Sequence, residues 1–142
     1  MTARIRFANL QRAHPIPRRR AARLVARLLD RFRVREGEVS VAFVSAARMR
    51  ALNRRYHHRD RATDVLAFDL RRPSQRRRRY LAGDVVIAPS VAARHAVRYG
   101  QTYTEELLTY VAHGLLHLLG FRDHTAAGRA RMDRWQRMFV SE

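Results

Sequence analysis

The chain has 142 residues, 46% of them hydrophobic, and a formal net charge of +18, with all 30 basic side chains arginine. This length suits one domain around one modest core, and the absence of cysteine excludes both a disulfide framework and a thiolate metal site. No run approaches the roughly 20 apolar residues of a membrane-spanning helix, and the arginine excess points to a polyanionic partner, nucleic acid first.

Arg4 to Ala8 alternates in polarity and reads as a first strand. The two prolines of His14-Pro-Ile-Pro17 break the chain and suit the start of a helix from Arg18 to Phe32. That helix carries an apolar stripe of Ala21, Leu24, Val25, Leu28 and Leu29. Gly37 marks a turn, and Glu38 to Val44 alternates as a strand with one buried face. Ser45 is placed to cap a helix from Ala46 to Tyr56.

Asp64 to Asp69 reads as the third strand, Arg71 to Arg79 as a charged loop around Pro73, and Asp84 to Ala88 as the fourth strand. Pro89 opens a helix that Gly100 ends. A long helix follows from Thr104 to Leu119, with Glu105 and Glu106 at its N-terminal dipole. The last helix covers Ala126 to Phe139, where Met132, Trp135 and Phe139 are spaced to pack into the core. The expected fold is α/β (α+β): one domain over residues 1–142, with a small mixed four-stranded sheet and about five helices. The helix before Gly120 is apolar over most of its surface and is expected to be central. The N-terminal segment has no apolar signal core, so a soluble cytoplasmic protein is the expectation.

The segment His113-Gly-Leu-Leu-His117-Leu-Leu-Gly120-Phe-Arg-Asp123-His124 carries the chemistry. Residues four apart share a helix face, so His113 and His117 can grip one small cation. The helix cannot offer a third ligand from its next turn at a good angle. Gly120 lets the chain leave the helix, and Asp123 or His124 then lands near the open side of the ion. Three protein ligands leave one position for water, the pattern of a catalytic zinc. Gly114 stands where the zinc proteases carry their glutamate base. Activation of the water therefore falls to the metal, which lowers its pKa to about 7.

Three stretches together are similar to the YbeY endoribonucleases of bacteria, over about Val39 to Arg134. They are Leu52-Asn53-x-x-Tyr56 with Asp60-x-x-Thr63-Asp64-Val65-Leu66-x-Phe68, then Gly83-Asp84-Val85-Val86-Ile87, then His113-Gly114-x-Leu116-His117-Leu118-Leu119-Gly120-Phe121. The resemblance implies a metal-dependent hydrolase acting on RNA. It carries with it zinc, 16S ribosomal RNA 3′-end maturation and ribosome quality control. Ribosomal RNA and ribosomal particles are then the partners.

Two departures from the family pattern matter. The family ends its motif Gly-Tyr-Asp-His, with histidine as third ligand; here Gly120-Phe-Arg-Asp123-His124 is one residue longer. Counting from Gly120 favours Asp123, and counting by residue type favours His124. Asp123 is preferred, with His124 as its hydrogen-bonded neighbour or as the alternative ligand. After Tyr56 the family commonly has an arginine thought to be important for activity. This chain has His57, His58 and then Arg59. Arg59 is the candidate phosphate-binding residue and His57 or His58 the candidate acid near neutral pH. Asp64 and Asp84, each read at a strand end, are assigned structural roles.

The resulting reading is hydrolysis of a single-stranded RNA phosphodiester at one zinc ion per chain, with arginines, Arg59 first, on the flanking phosphates. Two rivals remain. One is a metallohydrolase of another bond, such as an amide. The other is a ribosome-assembly factor that binds RNA and holds a structural zinc, which would use both Asp123 and His124.

Overall fold

The computed structural model of the protein describes residues 3–57, 65–77 and 79–141. The elements run β1 (Arg4–Asn9), α1 (Arg18–Arg31), β2 (Glu36–Phe43), α2 (Ala46–His57), β3 (Val65–Asp69), β4 (Tyr80–Ile87), α3 (Pro89–Tyr99), α4 (Tyr103–Leu118) and α5 (Ala126–Ser141). A single 3-10 turn, Pro73–Gln75, lies between β3 and β4. The sheet is ordered β1-β2-β4-β3. β1, β2 and β4 are parallel, and β3 runs antiparallel to β4. The mixed four-stranded sheet and five helices expected from the sequence are therefore present.

Alternation along the strands divides the core in two. Val39, Val41 and Phe43 of β2 join Leu81, Val85 and Ile87 of β4 in one cluster with the apolar faces of α1, α4 and α5. Leu66 and Val86 cluster instead with Met49 of α2 and Val91 of α3, and Ala42, Leu52 and Phe68 pack against them. Ser45 caps α2 as expected, its Oγ accepting from the Arg48 backbone N–H at 3.1 Å.

Two bounds differ from the sequence reading. β2 starts at Glu36 and contains Gly37, and β4 starts at Tyr80 at the end of the arginine run. The cause is pairing: Glu36 and Gly37 lie opposite Tyr80 and Leu81 in the parallel register. Sheet pairing overrides the local turn signal. Asp84 consequently sits mid-strand, between Ser40 of β2 and Phe68 of β3, and not at a strand end.

Helix α4 is the centre of the molecule. Leu107, Leu108, Val111, Leu115, Leu116 and Leu118 are buried, and each such side chain contributes about 1.5–3 kcal/mol by leaving water. Thr102 caps the helix, its Oγ1 accepting from the Glu105 N–H at 3.1 Å. Gly114 faces the sheet. A β-carbon there would collide with Val85 Cγ1 on β4 and would press on Val65 Cγ2 of β3. The close approach needs a residue without a side chain. Gly114→Ala is expected to lower stability by about 1–3 kcal/mol through overpacking, read as a lower urea midpoint; an unchanged midpoint would show that the helix can lift from the sheet at no cost.

Candidate metal centre

The last two turns of α4 carry the two histidines. Their rings lie 4.5 Å apart between centroids, and the two Nε2 atoms face each other at 2.9 Å. The helix then stops in a Schellman motif. Gly120 N–H donates to the His117 carbonyl and Phe121 N–H to the Leu116 carbonyl, each at 3.0 Å. Gly120 has φ 104, in the region where glycine is favoured. The turn brings the chain back so that Asp123 Oδ2 lies 3.6 Å from His113 Nε2 and 3.5 Å from His117 Nε2.

These three donors fit a small cation. A tetrahedral ion with bonds of about 2.0–2.2 Å needs donors about 3.3–3.6 Å apart. The observed edges of 2.9, 3.5 and 3.6 Å are close to that. All three residues are partly exposed, as an open coordination position requires. Of the four candidate ligands read from the sequence, His113, His117 and Asp123 come together, with donor atoms within 4.8 Å of one another. His124, one residue on, is exposed and lies outside that group.

Helix α5 supplies what the motif does not contain. His113 Nδ1 donates to Gln136 Oε1 at 2.6 Å. That bond holds the ring's proton on Nδ1 and leaves Nε2 bare toward Asp123 and His117, the tautomer a metal ligand needs. Nothing in the spacing of the sequence marks Gln136. Burial of Met132 and Phe139 in the core positions it, and the Phe139 carbonyl accepts from Arg27 of α1 at 2.6 Å.

A second residue missed in the sequence is Arg71. Its guanidinium forks onto Asp69, Nε to Oδ1 at 2.9 Å and Nη2 to Oδ2 at 2.8 Å. Nη2 also donates to the Leu118 carbonyl at 2.7 Å, at the end of the metal helix. The Arg71 hydrogen bonds hold the Asp69 carboxyl below its ordinary range. Of the candidate catalytic residues, His57 is the last residue of α2. His58, Arg59 and Asp64 lie outside the described residues.

The chain matches the family model described as endoribonuclease YbeY over residues 6–142. It belongs to the YbeY family. Endoribonuclease YbeY of Anaeromyxobacter dehalogenans is 42% identical over 128 residues, which cover 88% of this chain and 65% of that protein. Endoribonuclease YbeY of Geobacter metallireducens is 32% identical over 140 residues, covering 94% and 89% of the two chains. A Thermotoga maritima protein of known solution structure superposes with a TM-score of 0.66 at 25% identity, over 96% of this chain and 87% of the other. The chain spans 65% and 66% of the length of its two Anaeromyxobacter YbeY relatives. Among the described residues no helix is long and apolar enough to cross a membrane.

The His117 pKa lies below its ordinary 6.5, first because burial disfavours the charged ring and second because His113 stands beside it. The Asp123 carboxylate opposes the shift. The ring is therefore mostly neutral at neutral pH. Zinc affinity followed by titration calorimetry is expected to lose its His117 contribution only as the pH falls below 6.5. Loss beginning well above that value would contradict a burial-lowered pKa. Gln136→Ala is expected to weaken zinc binding about 10–100-fold with no change in secondary structure by circular dichroism; unchanged affinity would leave Gln136 without a role at the site.

Proposed function

We propose that this protein is a metal-dependent endoribonuclease that cuts single-stranded RNA, acting in 16S rRNA 3′-end maturation and ribosome quality control. The observation that carries the reading is the His113–His117–Asp123 donor triangle at the end of α4, in a chain of the YbeY family. The cofactor is one zinc ion per chain, held by His113, His117 and Asp123, with His124 outside the set. The protein acts as a single domain over residues 1–142, in the cytoplasm, on ribosomal RNA and ribosomal particles.

When bound, the ion supplies a water of lowered pKa and polarises a phosphoryl oxygen. The chain's own residues do the rest. Gln136 fixes His113 in the ligand tautomer. Arg59 holds a phosphate beside the cleavage point and stabilises charge that builds there. His57 serves as the acid for the leaving oxygen. Val65, at the start of β3, packs against the Gly114 position next to His113. Gly114 faces the sheet, so the neighbour of His113 cannot offer the carboxylate of a peptidase. A structural zinc closed by both Asp123 and His124 is disfavoured by the exposure of His124.

Zinc-loaded protein is expected to cut a ribosomal RNA fragment, and metal-stripped protein, His117→Ala and Asp123→Ala are expected to lose at least about 100-fold in rate. His124→Ala is expected to stay within a few-fold of the parent. Equal cutting in all samples would mean that the activity is not at this site. Binding of RNA without cutting by the zinc-loaded protein would favour an assembly factor.

A further inference from the structure

A basic groove adjoins the α4–α5 turn. A groove of about 1090 Å³ runs between the end of α1, the segment before β4 and the end of α4. It is larger than the cleft of about 460 Å³ at His113 and Asp123. Arg31, Arg33, Arg35, Arg76, Arg77 and Arg79 line it, with Phe32, Tyr80 and Phe121 between them. Arg71, also in its wall, is engaged with Asp69 and Leu118 and serves the fold.

The nearby carboxylates do not neutralise this surface. Asp30 pairs with Arg35 at 3.2 Å, Glu36 with Arg77 at 3.0 Å, and Asp69 with Arg71 and, at 4.0 Å, Arg76. Among the described residues no carboxylate pairs with Arg33 or Arg79. Aromatic rings between arginines suit a single-stranded nucleic acid, whose bases stack on them whatever their sequence; here Phe32, Tyr80 and Phe121 are partly buried in the groove wall. Phe32 and Phe121 meet edge to face at 5.5 Å, and Arg77 lies over the Tyr80 ring at 5.8 Å. Both Leu119 and Phe121, either side of Gly120, line the groove. It therefore begins on the turn that leads from His117 to Asp123.

Arg33 adds an independent sign. Helix α1 ends in the same motif as α4: Arg33 N–H donates to the Asp30 carbonyl and Val34 N–H to the Leu29 carbonyl. Here the position that glycine favours holds arginine, with φ 59. A side chain in that conformation costs stability that glycine would not. The residue is exposed and makes no ion pair among the described residues that would offset the cost, and it stands at the groove's edge.

We propose that this groove is a binding track for single-stranded RNA, which takes the strand leaving the metal centre. The choice of RNA as occupant rests on the endoribonuclease reading; the charge and the aromatic lining stand without it. Duplex RNA is the weaker candidate, because its stacked bases cannot reach the rings.

The test compares two arginine-to-neutral triples of equal charge change. One is Arg33→Gly with Arg76→Ser and Arg79→Ser. The other, Arg12→Ser with Arg94→Ser and Arg98→Ser, removes arginines from the β1–α1 connection and from α3, away from the groove. Binding of labelled single-stranded RNA of about 5 and about 20 nucleotides is measured by fluorescence anisotropy across salt, with and without zinc. The groove triple is expected to lose about tenfold in affinity for the longer RNA, and its salt slope to fall by about 2. The remote triple is expected to keep most of both, and Arg33→Gly alone to melt no lower than the parent. Equal losses in the two triples, or an equal loss on duplex RNA of the same length, would overturn the proposal. The arms separate it from the function above: a protein that cuts RNA while both triples bind alike sinks the groove alone, whereas a zinc-loaded protein that cuts nothing yet shows the selective loss sinks the nuclease reading alone.

Discussion

Helix α4 meets the sheet at a distance that leaves no room for a β-carbon at Gly114, and the geometry of the molecule follows from that contact. With Gly114 against Val85, Leu115, Leu116 and Leu118 are held in the core. His113 and His117, four residues apart, remain on the partly exposed face. The position at which a zinc peptidase carries its base is here a glycine packed against the sheet. The absence of a carboxylate and the closeness of the helix–sheet contact both follow from glycine at this position.

The rest of the site is arranged around the end of this helix. Gly120 turns the chain and brings Asp123 back. Helix α5 then lies along the surface, its Trp135 and Phe139 packed with Phe32 of α1, and delivers Gln136 to His113. Arg71 ties the end of β3 to the Leu118 carbonyl at the end of α4. The turn that follows the helix and two segments remote in sequence thus meet at one helix terminus.

The sequence made legible whatever depends on short-range periodicity. The order of strands and helices, the stripe of α1, the apolar character of α4 and the spacing of His113, His117 and Gly120 all came from residues within a few positions of one another. Long-range pairing was not legible. Gly37 carried a local turn signal, and only its partner Leu81 across the sheet makes it part of β2. Asp84 looked terminal because Tyr80 follows an arginine run, although β4 starts there. Gln136 and Arg71 act through bonds that span 23 and 47 residues, and no local pattern announces such a bond. The extra residue between Gly120 and the expected histidine left Asp123 and His124 both open by counting; the fold of the turn separates them in space.

The donor triangle and its tuning residue differ in how they are assembled. His113, His117 and Asp123 belong to one helix turn and the bend after it, so bringing them together requires little loop closure. Gln136 arrives only when α5 docks, through a contact 23 residues away in the chain. Without the Gln136 contact the His113 ring would be free to carry its proton on either nitrogen. The donor group is thus local in the chain, while the orientation of the His113 ring depends on a helix that lies beyond the turn.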